Sequence, residues 1–187
     1  SPITRRYDWP GKFIPMAHQI ETSAFLTLNR RSFCFNDPGT GKTLSALWAA
    51  DFLMKRGEVR RILILCPLSI MHSAWMGDIN NSIIHRSAVI AHHAQASRRI
   101  EMIQRDYEIV IANYEGLNLI ADEVRNDGRF DLVIVDEANA KGEVLTFGQL
   151  QDRMLILLKK KGYEQNPQLT FGREEDIENC VYPLQHK

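Results

Sequence analysis

Two short stretches carry residue types that could act on a phosphate anhydride. The first is Asn36-Asp37-Pro38-Gly39-Thr40-Gly41-Lys42-Thr43. Gly39 and Gly41 let the backbone turn tightly and aim its N–H groups at phosphate oxygens. Lys42 offers a point charge for the β- and γ-phosphates, and the Thr43 hydroxyl a ligand for Mg2+. The full G-x-x-x-x-G-K-[ST] pattern asks for glycine where this chain has Asn36, but the G-x-G-K-T core is intact. The second stretch is Asp136-Glu137, which follows the apolar run Phe130-Asp131-Leu132-Val133-Ile134-Val135. An Asp there can hold Mg2+, directly or through water, and a Glu can orient or deprotonate the attacking water. Alone, the first could be a solvated turn and the second an acidic strand end. Together, in this order, they point to a nucleoside triphosphate site.

Such groups need a frame. Residues 32–35 form an apolar run before the loop, and residues 44–54 read as a helix after it, which is the strand–loop–helix setting of a phosphate cradle. Strand-like runs recur at 61–66, 87–92, 107–112 and 130–135, separated by helix-like stretches at 69–75, 95–105 and 114–124. This alternation predicts an α/β fold: a mostly parallel sheet with helices on both faces. Ligands then gather at the carboxyl ends of the strands. The glycine loop, Pro67-Leu68-Ser69, Asn113-Tyr114-Glu115 and Asp136-Glu137 all follow strands, so one rim should hold every candidate group. Ser69 is placed to cap a helix running through Trp75, and Trp75 itself reads as core. Upstream, residues 16–29 read as a helix with Ile20, Ala24, Phe25 and Leu28 on one face. His18-Gln19 lies within it, and an amide such as Gln19 can offer a donor and an acceptor to an adenine edge or stay exposed. Residues 1–15 read as an irregular arm packed by Tyr7, Trp9 and Phe13.

Composition narrows the classes. The 187 residues suffice for one domain with a core, and 44% hydrophobic residues argue against disorder. Basic and acidic residues balance at 23 each, so any nucleic-acid face must be local. Cys34, Cys66 and Cys180 form no C-x-x-C pair; the first two lie in apolar runs and read as reduced core thiols. No apolar run is long enough for a membrane span, and no signal core opens the chain. The expected location is the cytoplasm, or a nucleoid or nucleus, with neither secretion nor a membrane partner. The six histidines show no zinc-site spacing with a cysteine.

At this point the chain resembles the first motor lobe of superfamily 2 helicases, in their SNF2-like branch. Asp37 through Thr43 resembles motif I. Ile64-Leu65-Cys66-Pro67-Leu68-Ser69 with Trp75 resembles motif Ia, Val110-Ile111-Ala112-Asn113-Tyr114-Glu115 resembles motif Ib, and Val133-Ile134-Val135-Asp136-Glu137-Ala138-Asn139 resembles motif II. The resemblance implies a three-layer, RecA-like P-loop NTPase lobe over residues 16–140, with ATP and Mg2+ as cofactors. It implies that Gln19 contacts adenine, that Pro38, Gly39, Thr40, Gly41, Lys42 and Thr43 hold the phosphates, and that Thr43 and Asp136 hold the metal. Lys42, Asp136 and Glu137 become the catalytic set. Ser69, Asn113 and Tyr114 would touch the nucleic-acid backbone, double-stranded DNA before RNA. The family pattern departs at Asn139, where a His or Asp is usual, and after Lys141, where the family's motif III and second lobe are not recognisable.

Residues 141–187 read as a small divergent α+β tail. Residues 147–161 suggest an amphipathic helix with Leu150, Met154, Leu155 and Leu158 on one face, and 168–171 a short strand. Two other readings stay open. An AAA+-type ATPase also carries P-G-T-G-K-T, but usually places its acidic pair about two βα units after the loop, whereas three strand candidates intervene here. A non-catalytic lobe that binds ATP or DNA is the third reading. Hydrolysis normally requires a cation from across the cleft, which a second RecA-like lobe in another chain could supply, so slow turnover is expected of this chain alone.

Overall fold

The computed structural model describes residues 1–34, 39–136 and 154–158. Its helices are α1 (Pro2–Arg6), α2 (Ala17–Leu28), α3 (Lys42–Lys55), α4 (Gly77–Ser82), α5 (Ala96–Gln104) and α6 (Tyr114–Asp127). Its strands are β1 (Arg31–Cys34), β2 (Arg61–Leu65), β3 (Ala88–Ile90), β4 (Ile109–Ala112), β5 (Phe130–Asp136) and β6 (Met154–Leu158). They form one sheet in the order β1-β6-β5-β2-β4-β3. The block β5-β2-β4-β3 is parallel throughout.

The strands alternate their side chains between two cores, as the pleat requires. Ile62, Ile64, Ile109, Ile111, Leu132 and Ile134 face one layer, where α3 contributes Leu47, Trp48 and Leu53. Leu63, Leu65, Val110, Ala112, Val133 and Val135 face the other, with Ile103 from α5 and Ile120 and Val124 from α6. The central strands are buried on both sides, which is why they read as unbroken apolar runs. The result is the expected three-layer α/β architecture, a parallel block of four strands flanked by helices.

Four local expectations are corrected. Residues 154–158, read as part of a helix, form β6, which pairs antiparallel with both β1 and β5. A five-residue apolar run, Met-Leu-Ile-Leu-Leu, suits a covered strand as well as a helix face, and periodicity cannot separate the two. The rest of 147–161, and 168–171, lie outside the described residues. Helix α2 buries Gln19, Thr22, Ser23 and Leu26; of the predicted face, Ala24 and Phe25 pack partly buried against the core, while Leu28 is 64% exposed. Its neighbour α3 is approached through small polar side chains: Ser23 Oγ donates to the Ser45 carbonyl at 2.9 Å. The arm is not wholly irregular. Pro2 opens α1, where its fixed φ suits the first helical turn. Tyr7 and Trp9 then pack edge-on against Phe52 and Trp48, while Phe13 is 42% exposed.

The fourth correction concerns Ser69. It does not cap a helix; it lies inside a 3-10 turn, Leu68–Ile70, that opens after Pro67. A π-helical stretch, Met71–Met76, carries the chain from that turn into α4. Pro67 has already fixed the extended backbone that a capping residue would adopt, which moves Ser69 one turn inward. Among the described residues, no helix is long and apolar enough to cross a membrane.

Candidate nucleotide site at the carboxyl rim

Strand β1 ends at Cys34 and β5 ends at Asp136, and both residues pair with Met154. Because β6 runs antiparallel to each, β1 and β5 point the same way. The exit toward the glycine loop and the candidate metal carboxylate therefore stand in one row, two strand spacings or about 10 Å apart. This is a distance that a bound phosphate chain and a cation can bridge.

The described part of the loop has the conformation the glycines were read for. Gly39 and Gly41 have φ of 79° and 75°, in the left-handed region that other residues avoid. Space is open where a Cβ would stand on Gly39. At Gly41 a Cβ would overlap the Gln19 amide nitrogen, so this position needs glycine for close approach as well as for φ. Gly41 is also the N-cap of α3, and Lys42 and Thr43 are its first two residues, both half-buried. The amino end of a fourteen-residue helix with two outward-turning glycines suits an anion. Pro38 lies outside the described residues.

Gln19 is only 3% exposed. Its Oε1 accepts from the Met16 N–H at 2.9 Å, and its Nε2 donates to the Thr40 carbonyl at 3.2 Å. His18 Nε2 lies 3.0 Å from the same carbonyl, so it donates as the Nε2–H tautomer. Thus the His18-Gln19 pair and the glycine loop form one unit, with the first turn of α2 clamped to Thr40.

Asp136 is 7% exposed. Its carboxylate Oδ2 accepts from the Trp75 indole N–H at 2.9 Å, and its main-chain carbonyl accepts from the Tyr114 hydroxyl. Trp75 is in the core, as expected, but it also reaches the site. Sequence reading missed that contact; the available signal was that a buried indole N–H needs a partner. Glu137 lies outside the described residues.

The nucleic-acid candidates sit differently from one another. Ser69 is exposed on the rim beside Leu68, which is 52% exposed. Asn113 is 6% exposed; it is the N-cap of α6, and its Oδ1 faces Arg99 Nη1 at 3.5 Å. Arg99 is itself held by the His93 carbonyl at 2.6 Å. Tyr114 is half-buried, with its hydroxyl turned to Asp136. The structure thus gathers one group around Thr40 and another around Asp136, and leaves Ser69 at the surface.

Comparison with known proteins agrees with this fold. Among curated proteins, none matches the chain. Solved structures share the fold, among them two from one organism. The Sulfolobus solfataricus SWI2/SNF2 ATPase core in complex with dsDNA matches with a TM-score of 0.59 and 23% identity, over 70% of this chain and 27% of that one. The Sulfolobus solfataricus SWI2/SNF2 ATPase core domain matches with a TM-score of 0.56 and 21% identity, over 74% of this chain and 28% of that one. The chain therefore spans about a quarter of the length of these structures. A family model described as the SNF2-related domain matches residues 18–143, a stretch that holds the glycine loop, the 3-10 turn, Asn113-Tyr114 and Asp136-Glu137. The chain belongs to the SNF2-related domain family.

Proposed function

We propose that this chain is the ATP-binding lobe of a nucleic-acid-dependent ATPase that acts on double-stranded DNA. The observation that carries the reading is the shared row of Cys34 and Asp136 around Met154, which sets phosphate loop and carboxylate at one rim. The residues fit Mg-ATP: the N–H groups after Gly39 and Gly41 cradle phosphate, Lys42 adds its charge, and Thr43 and Asp136 hold the cation. Bound Mg2+ would neutralise charge on the phosphates as the γ-phosphoryl group transfers. Gln19 uses one amide N–H and one oxygen lone pair on the protein, and an amide has two of each, so the adenine edge takes the others. Glu137 orients the attacking water. Ser69 and the α6 amino end contact the DNA backbone, as positioning groups that carry no sequence information.

A second lobe, in a longer form of the chain or in a separate one, supplies the cation that completes the site. Turnover by this chain alone is then slow, and it stays bound to Mg-ATP between rounds. The test is steady-state ATP hydrolysis with Mg2+, with and without double-stranded DNA, beside Lys42→Ala. The expected result is weak hydrolysis that Lys42→Ala lowers by about 100-fold or to background, with tight Mg-ATP binding in the wild type. Wild-type chain that fails to bind Mg-ATP would overturn the proposal. Binding without any turnover would leave the non-catalytic lobe as the reading.

A further inference from the structure

We propose that Arg99 binds a backbone phosphate of double-stranded DNA at the amino end of α6, an inference that rests on the DNA-dependent function proposed above. Arg99 lies on α5 and is only 8% exposed. A cation taken out of water ordinarily has a carboxylate beside it. The other buried arginine of the described residues follows that rule: Arg61 holds Asp127 at 2.7 Å. Arg99 does not. Its Nε donates to the His93 carbonyl at 2.6 Å, and its Nη1 faces Asn113 Oδ1 at 3.5 Å, both neutral oxygens. Among the described residues, no carboxylate pairs with it. Its Nη2 makes no hydrogen bond to the described residues and is not sealed from the surface. The guanidinium thus keeps its charge and one outward nitrogen for a group the chain does not supply.

The place that Arg99 occupies also runs against a cation. Asn113 is the N-cap of α6, a fourteen-residue helix, yet its side chain makes no capping bond; its Oδ1 turns to Arg99 instead. The amino end of a helix carries partial positive charge, so a guanidinium there adds repulsion. Gly116, buried in the first turn of α6, makes the room, since a Cβ on it would overlap Arg99 Nη1 and Asn113 Oδ1. Glycine is a poor helix former. Glu115, the acid of that first turn, is exposed and forms no ion pair with Arg99. Three unfavourable choices meet at one point, and an external anion relieves the first two and gives the third a purpose. A phosphate diester fits, because the planar guanidinium offers it donors in a fixed fork. The site opens on the proposed DNA rim: α6 follows β4, and the 3-10 turn Leu68–Ile70 follows the neighbouring parallel strand β2.

The experiment measures binding of the full chain to a double-stranded oligonucleotide over a range of KCl concentrations, for wild type and Arg99→Gln. Glutamine keeps an N–H donor for the His93 carbonyl and removes the charge. The slope of log affinity against log salt counts the phosphates neutralised, about 0.9 for each on B-DNA. The expected result is that Arg99→Gln makes the slope shallower by about 0.9 and weakens binding by about tenfold. An arginine that only braces the loop would weaken binding without moving the slope. An unchanged slope in a folded Arg99→Gln chain therefore overturns the inference alone. Wild type with no salt-dependent DNA binding overturns the proposed DNA function and this inference with it. If Arg99→Gln does not fold, the wild-type Arg99 guanidinium resonance decides, assigned through its own backbone. It should move when the duplex is added. A resonance that stays still, or that moves with inorganic phosphate and not with the duplex, overturns the assignment.

Discussion

At the amino ends of β2 and β5, arginines meet aspartates. At the carboxyl ends, Asp136 meets an indole. Arg60 grips Asp131 through two nitrogens at 2.8 Å each. Arg61, 3% exposed, reaches Asp127 at 2.7 Å and stacks its guanidinium on Phe130 at 4.4 Å. Arg129 joins Asp127 and Asp106 at 2.8 and 2.7 Å. Asp51, at the far end of α3 from Lys42, gathers Arg86, His85 and the Tyr7 hydroxyl. One end of the sheet thus closes its charges on each other and seals the fold. At the other, the Asp136 carboxylate accepts from the Trp75 indole, in one row with the strand that leads to the glycine loop. Charge near a strand end identifies a site only once its partners are known.

The comparison breaks most visibly at Asp51. Burial alone would push its carboxyl upward, but hydrogen bonds from Arg86, Tyr7 and His85 outweigh burial and hold it below the usual carboxylate range. Asp51→Asn leaves Arg86 facing a neutral amide on one side, while Glu108 at 2.8 Å still balances its charge on the other. The expected loss is about 2–3 kcal/mol in urea unfolding, the scale of charge-assisted hydrogen bonds lost from a buried group. The ATP affinity of the folded fraction should stay as it was. The pH dependence follows from the same shift. A carboxyl depressed in the folded state stabilises at neutral pH, and that stability is lost as pH falls below the unfolded value of about 3.9. Wild type should therefore lose stability steeply in acid and Asp51→Asn less so. Parallel acid limbs for the two chains would place the acid-sensitive group elsewhere, with Asp127 the next candidate, its carboxyl also held low once Arg129 and Arg61 offset its burial.

Gly41→Ala sharpens the comparison from the rim side. A left-handed residue with a Cβ costs about 1–2 kcal/mol, and here the Cβ also displaces the Gln19 amide. Unfolding should register that modest loss. Mg-ATP affinity should drop about tenfold or more, since 1.4 kcal/mol at the phosphates is a factor of ten. A stability loss with unchanged ATP affinity would separate the loop from the nucleotide site. Ser69→Ala is the smallest perturbation. Its side chain is exposed, so stability should move by less than about 0.5 kcal/mol. DNA affinity should weaken by about 1 kcal/mol, one neutral hydrogen bond, while the salt dependence of DNA binding keeps its slope because no charge is removed. A wild-type DNA affinity in Ser69→Ala would take the 3-10 turn out of the proposed DNA face.

These contrasts explain what could be read from the residues alone. Strands β2, β4 and β5 were legible because a strand covered on both faces shows mostly apolar residues, and four of them in a row, at 62–65, 109–112 and 132–135, leave few alternatives. The glycine loop was legible because φ near 75° restricts the residue type by sterics. Helix α2 misled because its buried face is set by a neighbour: Ser23 lies inward to bond the α3 backbone, while Leu28 stays outside. Strand β6 was hidden because a leucine-rich run serves either element, and the choice is made by pairing with two strands, one of them more than a hundred residues away in sequence. The indole–carboxylate contact was hidden for the same reason, since Trp75 and Asp136 meet only through tertiary packing.

Strand β6 also imposes an order on how the molecule can be assembled. Chains emerge from the ribosome amino end first, and domains begin folding as they appear. The block β2-β4-β5 with its helices contains its own pairings and can close once Asp136 is made. The strand before the glycine loop cannot join it then, because its partner is β6 and Arg31 pairs with Leu157. Until residues 154–158 arrive, the phosphate loop hangs beside a nearly finished sheet, and its strand offers an open edge to any passing chain. The proposed nucleotide site would thus be completed only after β6 is made, and a chain cut just beyond Glu137 would carry its motifs without the strand that aligns Cys34 with Asp136.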